Sequence, residues 1–220
     1  MYKIPGTTSL LSDDQVARAV SPFGVFLSPG QTAQVREYVR LLLKWNQSIN
    51  LTTVLDPMEI VVRHFGESMF AGCLIPVENC RLADLGSGAG FPGLALKIAQ
   101  PRLEVRLIES NKKKCAFLSE IVRSLELERV EVVPMRFDEI RTESPFAELI
   151  TVRALGGFSE ILDWAKGTLT DRGQVILWIG GEDAAQVSST PGWAWQAAVK
   201  IPDSQRRYVL IGRPQPETKV

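Results

Sequence analysis

Histidine occurs once in the 220 residues of this chain, and cysteine three times. Cys73, Cys80 and Cys115 are odd in number and unevenly spaced, which excludes a disulfide framework and matches no zinc-ligand spacing. Buried free thiols and no metal are the expectation. An excess of charge is also missing: 25 Lys and Arg balance 25 Asp and Glu, so no global positive field announces a nucleic acid, and any such binding must come from a local patch. No apolar run approaches the roughly 20 residues that span a bilayer, and Met1-Tyr-Lys-Ile-Pro-Gly lacks the apolar core of a signal peptide. A cytoplasmic protein without membrane contact is expected. At 45% hydrophobic and 23% charged residues, the composition excludes disorder, and the length suits one α/β domain with an appendage.

What is present is organised around Leu82-Ala-Asp-Leu-Gly-Ser-Gly-Ala-Gly-Phe-Pro-Gly93, a short apolar strand running into glycines at every second position. Alternating glycines imply a sharp bend or the close approach of a ligand, and Pro92 suits the first turn of a following helix. The dinucleotide fingerprint fails because Phe91 stands where its third glycine belongs, and no Gly-Lys-Ser/Thr follows to grip phosphate. An acid two residues before the glycine triplet, Asp84-x-Gly86-x-Gly88-x-Gly90, resembles the glycine loop of S-adenosylmethionine (SAM)-dependent methyltransferases. A strand ending in Glu109, nineteen residues past Gly90, supplies a carboxylate where a nucleoside's ribose hydroxyls would lie. The next strand, from Val130 to Pro134, leads to Phe137 and Asp138, candidates for packing an adenine and accepting from its amine.

In chain order, Ser12 with Gln15, Ser28 with Gln31, and Asp56 with Glu59 mark three helix starts, giving a helical extension over residues 1–75 and a SAM-binding domain over 76–220. The central helix, from Pro29 to about Ile49, turns Val35, Val39, Leu42, Trp45 and Ile49 to one face. A third helix from Pro57 carries His64. Strands then alternate with helices, which predicts a Rossmann-like, mostly parallel seven-stranded sheet closed by an antiparallel hairpin through Trp195–Ile201 and Arg207–Ile211. A polar, frayed tail is expected from Arg213. Lys112, Lys113 and Lys114 load positive charge onto a helix start that prefers negative charge, which reads either as a solvated charge run or as a phosphate-contacting patch beside the site.

The fourth strand ends in Arg153, where a methyl acceptor would lie. Neither an Asn/Asp-Pro-Pro-aromatic run nor a Pro-Cys pair occurs, so the target needs no deprotonation and no covalent attack. The guanine N7 lone pair is such a target.

Taken together, Lys44-Trp-Asn-Gln-Ser-Ile-Asn-Leu-Thr52, Arg63-His64 with Glu67-Ser68, the glycine loop, Glu109-Ser110 and Arg153-Ala154 resemble the bacterial 16S ribosomal RNA guanine-N7 methyltransferases, also called glucose-inhibited division protein B, over about residues 30 to 212. The resemblance implies a class I SAM-dependent methyltransferase fold and methyl transfer to N7 of a guanine in the decoding-region loop of small-subunit rRNA. It implies Gly86 and Phe91 in the SAM loop, Phe137 and Asp138 at the adenine and Arg153 beside cofactor and substrate; with Asp84, Gly88 and Glu109 read from the residues themselves these are the cofactor candidates. Arg153 and His64 are the catalytic candidates, a packed or capping histidine being the other reading of His64. Arg63, Lys112, Lys113, Arg123, Arg136 and Arg206 are the candidates for RNA phosphates, and a monomer acting on 16S rRNA or the small subunit is expected. Two positions depart from the family pattern: Glu67 stands for a common Asp, and Ile179-Gly180 for a Lys-Gly. The other readings are a SAM-dependent methyltransferase of a small molecule or protein, and a non-catalytic SAM- or RNA-binding module.

Overall fold

The computed structural model describes residues 11–77, 79–141 and 144–216. The start of the chain, where the signal-peptide reading falls, lies outside them. Ser12 and Ser28 close full capping boxes with Gln15 and Gln31 at the heads of α1 (Asp13–Val20) and α2 (Pro29–Asn46). Asp56 caps the third run through the Glu59 amide at 2.8 Å, while the Glu59 side chain turns to Arg63 instead of reaching back. That run begins as α3 (Pro57–Ile60), widens into a π-helix over Val61–Gly66, and resumes as α4 (Glu67–Met69) and α5 (Ala71–Leu74). The expected plain helix is thus widened at His64, and widened turns of this kind recur at functional sites.

The α/β part follows as β1 (Arg81–Leu85), α6 (Gly93–Ala99), β2 (Glu104–Ile108), α7 (Lys112–Ser124), β3 (Val130–Val133), β4 (Ala147–Arg153), α8 (Phe158–Thr168), β5 (Leu169–Gly180), α9 (Gly181–Val187), β6 (Trp193–Trp195), β7 (Val199–Lys200) and β8 (Arg207–Pro214). The sheet order is β3-β2-β1-β4-β5-β8-β6, with β7 also on β8. The first five strands are parallel, and β8 runs antiparallel between β5 and β6. Strand order reverses between β1 and β4, so the crevice for a ligand opens beyond their carboxyl ends.

Eight strands replace the expected seven because the penultimate one is broken. Trp195 pairs with Gly212 and Val199 with Val209, so one side advances a residue further than the other, and the extra residue bulges out. β8 also extends through Arg213, which was expected in a frayed tail. Of the thiols only Cys115 is buried; Cys73 is exposed and Cys80 half-buried.

One apolar core packs Val35, Tyr38, Leu42 and Phe65 of the helical extension with Leu94, Leu118 and Ile176 of the α/β part. A second lies on the opposite face, under α8 and α9. The extension is therefore one wall of the main core.

Candidate active site

The loop after β1 is hung from its neighbour: the amides of Gly86 and Ser87 donate to the Ile108 carbonyl at 2.8 and 3.2 Å. Gly86 and Gly90 have φ of +64° and +85°, and added Cβ atoms would strike Leu155 at the first and the Tyr38 hydroxyl at the second. From behind, the buried Tyr38 of α2 donates to the Ala89 carbonyl at 2.6 Å. Gln31 donates to the last carbonyls of α6, Ile98 at 2.7 Å and Ala99 at 3.1 Å, and Gln34 to Leu125 beyond α7 at 3.0 Å. Three side chains of one helix thus fix the loop and the two helices beside it.

In front of the loop lies a cavity of about 490 Å³, bordered by Gly86, Gly88, Phe91, Glu109, Phe137 and Arg153 among others. Glu109, almost fully buried, takes the Gly88 amide at 2.9 Å on one oxygen and the Asn111 amide at 2.8 Å on the other. Each oxygen keeps a further lone pair. Phe137 stands edge-on to Trp164, with ring centroids 5.7 Å apart, and Glu160 and Met135 complete that end.

The opposite end is built from the N-terminal motif. Asn46 accepts from the amides of Leu51 and Thr52 at 2.8 and 3.0 Å and donates to the Thr52 carbonyl at 2.8 Å, which ends α2 and folds the chain back. The Thr52 hydroxyl then meets His64 Nε2 at 2.8 Å, and the imidazole stacks on Phe91 at 5.0 Å. Burial, with the Arg153 and Arg63 charges adding to it, lowers the His64 pKa to about 4, so the ring is neutral at physiological pH.

Arg153 donates to Ser68 at 2.9 Å, to the Arg63 carbonyl at 2.8 Å and to Glu67 at 3.0 Å. Glu67, only 2% exposed, also takes Arg207 at 2.7 Å, and its carbonyl accepts from Trp178 at 2.7 Å. One carboxylate shared by two guanidiniums ties the π-helical turn to β4, β5 and β8. Burial lowers the Arg153 pKa, against the pull of Glu67.

Gly86, Gly88, Phe91, Glu109, Phe137, Arg153 and His64 therefore converge on one cavity, whose borders also include Lys114 and Arg136. Asp84 and Asp138 do not border it. Asp84 is fully buried beneath the loop, takes Thr151 at 2.7 Å on one oxygen and has its other oxygen without a partner; burial, opposed by its hydrogen bonds, raises its pKa to about 6. Asp138 faces solvent, paired with Arg136 at 3.0 Å. Pro92, expected in the first helical turn, is instead the residue before it.

Among the basic candidates, Arg63, Arg123 and Arg136 are each occupied by a carboxylate partner, Glu59, Glu120 and Asp138. Lys112, Lys113 and Arg206 are exposed and have no ion pair among the described residues. Asn111 caps α7 beneath the lysines, accepting from the amides of Lys113 and Lys114 at 3.0 and 3.3 Å. Ile179 is buried in the second core, so this departure from the family pattern puts an apolar residue where a cation was expected. Sequence reasoning missed Tyr38, Asn46, Thr52 and Leu155 as individuals; for Asn46 and Thr52 the signal lay in the motif that contains them.

A reversing parallel sheet with a glycine loop, a carboxylate at the end of the second strand and an antiparallel closing strand is the class I fold of SAM-dependent methyltransferases. Solved structures agree: a SAM dependent methyltransferase from Aquifex aeolicus is 15% identical at a TM-score of 0.59, covering 71% of this chain and 93% of that one. The ribosomal protein L11 methylase of Lactobacillus delbrueckii subsp. bulgaricus is 16% identical at a TM-score of 0.55, covering 70% and 79%.

Within that class the sequence is specific. The model of the rRNA small subunit methyltransferase G family matches residues 31–199. The chain is 34% identical over 209 residues to ribosomal RNA small subunit methyltransferase G of Pseudomonas aeruginosa (strain LESB58), covering 91% of this chain and 94% of that one. It is 38% identical over 179 residues to the protein of the same name from Xylella fastidiosa (strain M23), covering 79% and 83%. The chain belongs to the rRNA small subunit methyltransferase G family.

Proposed function

We propose that this protein methylates N7 of a guanine in the decoding-region loop of 16S rRNA, with SAM as donor. Family membership carries the substrate class, and the cavity carries the cofactor. Its residues fit SAM: the glycine backbone leaves open space at Gly88, where an added Cβ would meet only the Gly86 carbonyl at 3.6 Å, and Glu109 retains lone pairs for ribose hydroxyls. Phe137 provides a ring face at the adenine end, and Gly86, Phe91, His64 and Arg153 border the methionyl end. Asp84 acts from beneath, supporting the turn, and Asp138 from the rim.

Bound there, SAM supplies an electrophilic methyl on a cationic sulfur. A guanine N7 has its lone pair free to take that methyl, so no proton would move and no general base would be required of the protein. Alignment then carries the rate, a contribution of about 7–11 kcal/mol when the geometry is held. His64 suits this chemistry as a neutral ring: a cationic imidazole beside a sulfonium would repel it, and burial removes that charge. Arg153 and His64 position the reacting groups and transfer no proton.

RNA phosphate is received beside the cofactor, in a groove of about 430 Å³ bordered by Ser48, Asn50, Asn111, Lys113 and Lys114. Lys114 borders both this groove and the cofactor cavity, which sets the RNA backbone beside the cofactor. The protein works as a cytoplasmic monomer. The test is transfer of labelled methyl from SAM to small ribosomal subunits from cells lacking the modification, with N7-methylguanine mapped by chain cleavage. Label at one guanine is expected; SAM binding with no labelled rRNA would send the assignment to a small-molecule or protein methyltransferase, or to a non-catalytic SAM-binding module.

A further inference from the structure

Next to the cofactor cavity lies a second one of about 650 Å³, at the carboxyl ends of β4 and β5, and the two share Ala154, Leu155 and Gly156 as a common wall. Methyl transfer requires donor and acceptor atoms about 3–3.5 Å apart, so the acceptor must lie against a wall of the cofactor cavity. The groove holding Lys113 shares only Lys114 with it and is bordered by no aromatic ring. The second cavity has half-buried Phe158 as a ring face, glycines at 156, 157 and 180, and polar groups from α9, Asp183 and Gln186. The Asp183 carboxylate and the Gln186 amide have no hydrogen-bond or ion-pair partner among the described residues.

We infer that this cavity receives the target guanine, with Phe158 against its face and the Asp183 carboxylate accepting from N1–H and the N2 amine, an assignment that rests on the rRNA reading above. An ionised carboxylate has only acceptors, and guanine's Watson–Crick edge is the purine edge that presents two adjacent donors. N7 lies on the neighbouring Hoogsteen edge, beside O6, and is left free by a carboxylate bound at N1–H and the N2 amine. A guanine read by Asp183 from the α9 side keeps N7 clear of that contact, free to face the edge at 154–156 where the two cavities adjoin and the methyl would be presented. Adenine offers Asp183 an unprotonated N1 and is rejected.

The sign of the effect makes the idea testable. A carboxylate with no reading role only repels RNA phosphates, so removing its charge should leave methylation unchanged or raise it. Methylation of small subunits lacking the modification is compared for wild type, Asp183→Asn and, as control, Glu182→Gln, an exposed α9 residue that does not border the cavity. SAM affinity is measured by calorimetry for all three. The expectation is a kcat/KM for Asp183→Asn lowered by roughly 5- to 150-fold, the range of one bidentate base contact, with SAM affinity intact and Glu182→Gln unaffected. An Asp183→Asn enzyme as fast as wild type, or one that loses SAM affinity in parallel, overturns the guanine site and leaves the rRNA assignment standing. Failure of the wild type to methylate the subunits overturns the rRNA reading and this site with it.

Discussion

At Gly86 the backbone has φ +64°, and a Cβ would come within 2.7 Å of Leu155 across the loop. Gly86→Ala combines a left-handed backbone, costing about 1–3 kcal/mol, with displacement of the wall shared by the two cavities. A folded protein with SAM affinity at least ~10-fold weaker by titration calorimetry is expected; unchanged affinity would show that the loop does not approach the cofactor. Two groups of the site, half-buried His64 and buried Asp84, oppose one another. His64 titrates near pH 4 in the fold and about 6.5 in the unfolded chain, so its contribution to stability is present above about pH 6.5 and is lost as pH falls through about 4. Asp84, raised from 3.8 to about 6, contributes stability that is present below 3.8 and is lost as pH rises through about 6. His64→Gln leaves Asp84 unopposed. Its melting temperature should therefore fall relative to wild type between about pH 4 and 6 as pH rises, and superimposable profiles would contradict a neutral buried imidazole.

Helix α2 holds the glycine loop from behind, and Tyr38→Phe isolates that hold because the ring and its packing on Phe65 and Phe91 remain. Leaving the Ala89 carbonyl without its donor should cost about 1–3 kcal/mol in urea denaturation and weaken SAM binding with it. Asn46→Ala, which releases three hydrogen bonds at the end of α2, should lose a similar ~1–3 kcal/mol and mobilise Thr52 and His64. Element starts were legible in the sequence because caps are local: Ser12, Ser28 and Asp56 each reach a group three residues on. The glycine loop and Glu109 were legible for the same reason, as a spacing along one βα unit and its neighbour. Tyr38 was not, since its partner lies 51 residues away and is met only after α2 docks. Asp84 and Asp138 show the converse limit: a carboxylate at a strand end can point into the cavity, beneath it or to solvent, and spacing does not distinguish these. Nor does spacing reveal that the strand after Trp193 is interrupted by a bulge.

Taken whole, the chain has its helical extension in the same core as α6, α7 and the face of the sheet. Deleting residues 1–75 should therefore give an aggregated or unfolded product, seen by circular dichroism, instead of a free-standing SAM-binding domain. Net charge across the molecule is zero, so on the proposed rRNA reading affinity has to rest on unpaired local cations. Replacing Lys112, Lys113 and Arg206 with alanine should flatten the dependence of log affinity for rRNA on log salt by up to about three units of slope. Substituting Arg123, already paired with Glu120, should change the slope little.

The clamp from Gln31, Gln34 and Tyr38 onto the cofactor loop and its flanking helices has a consequence for the protein. A ligand gripped by a loop that is itself part of the core stabilises the whole chain, by RT ln(1 + [L]/Kd). Added SAM should therefore raise the melting temperature of the whole chain, helical extension included, and slow its digestion by an added protease; a melting curve unmoved by saturating SAM would show that the loop and the core are not coupled.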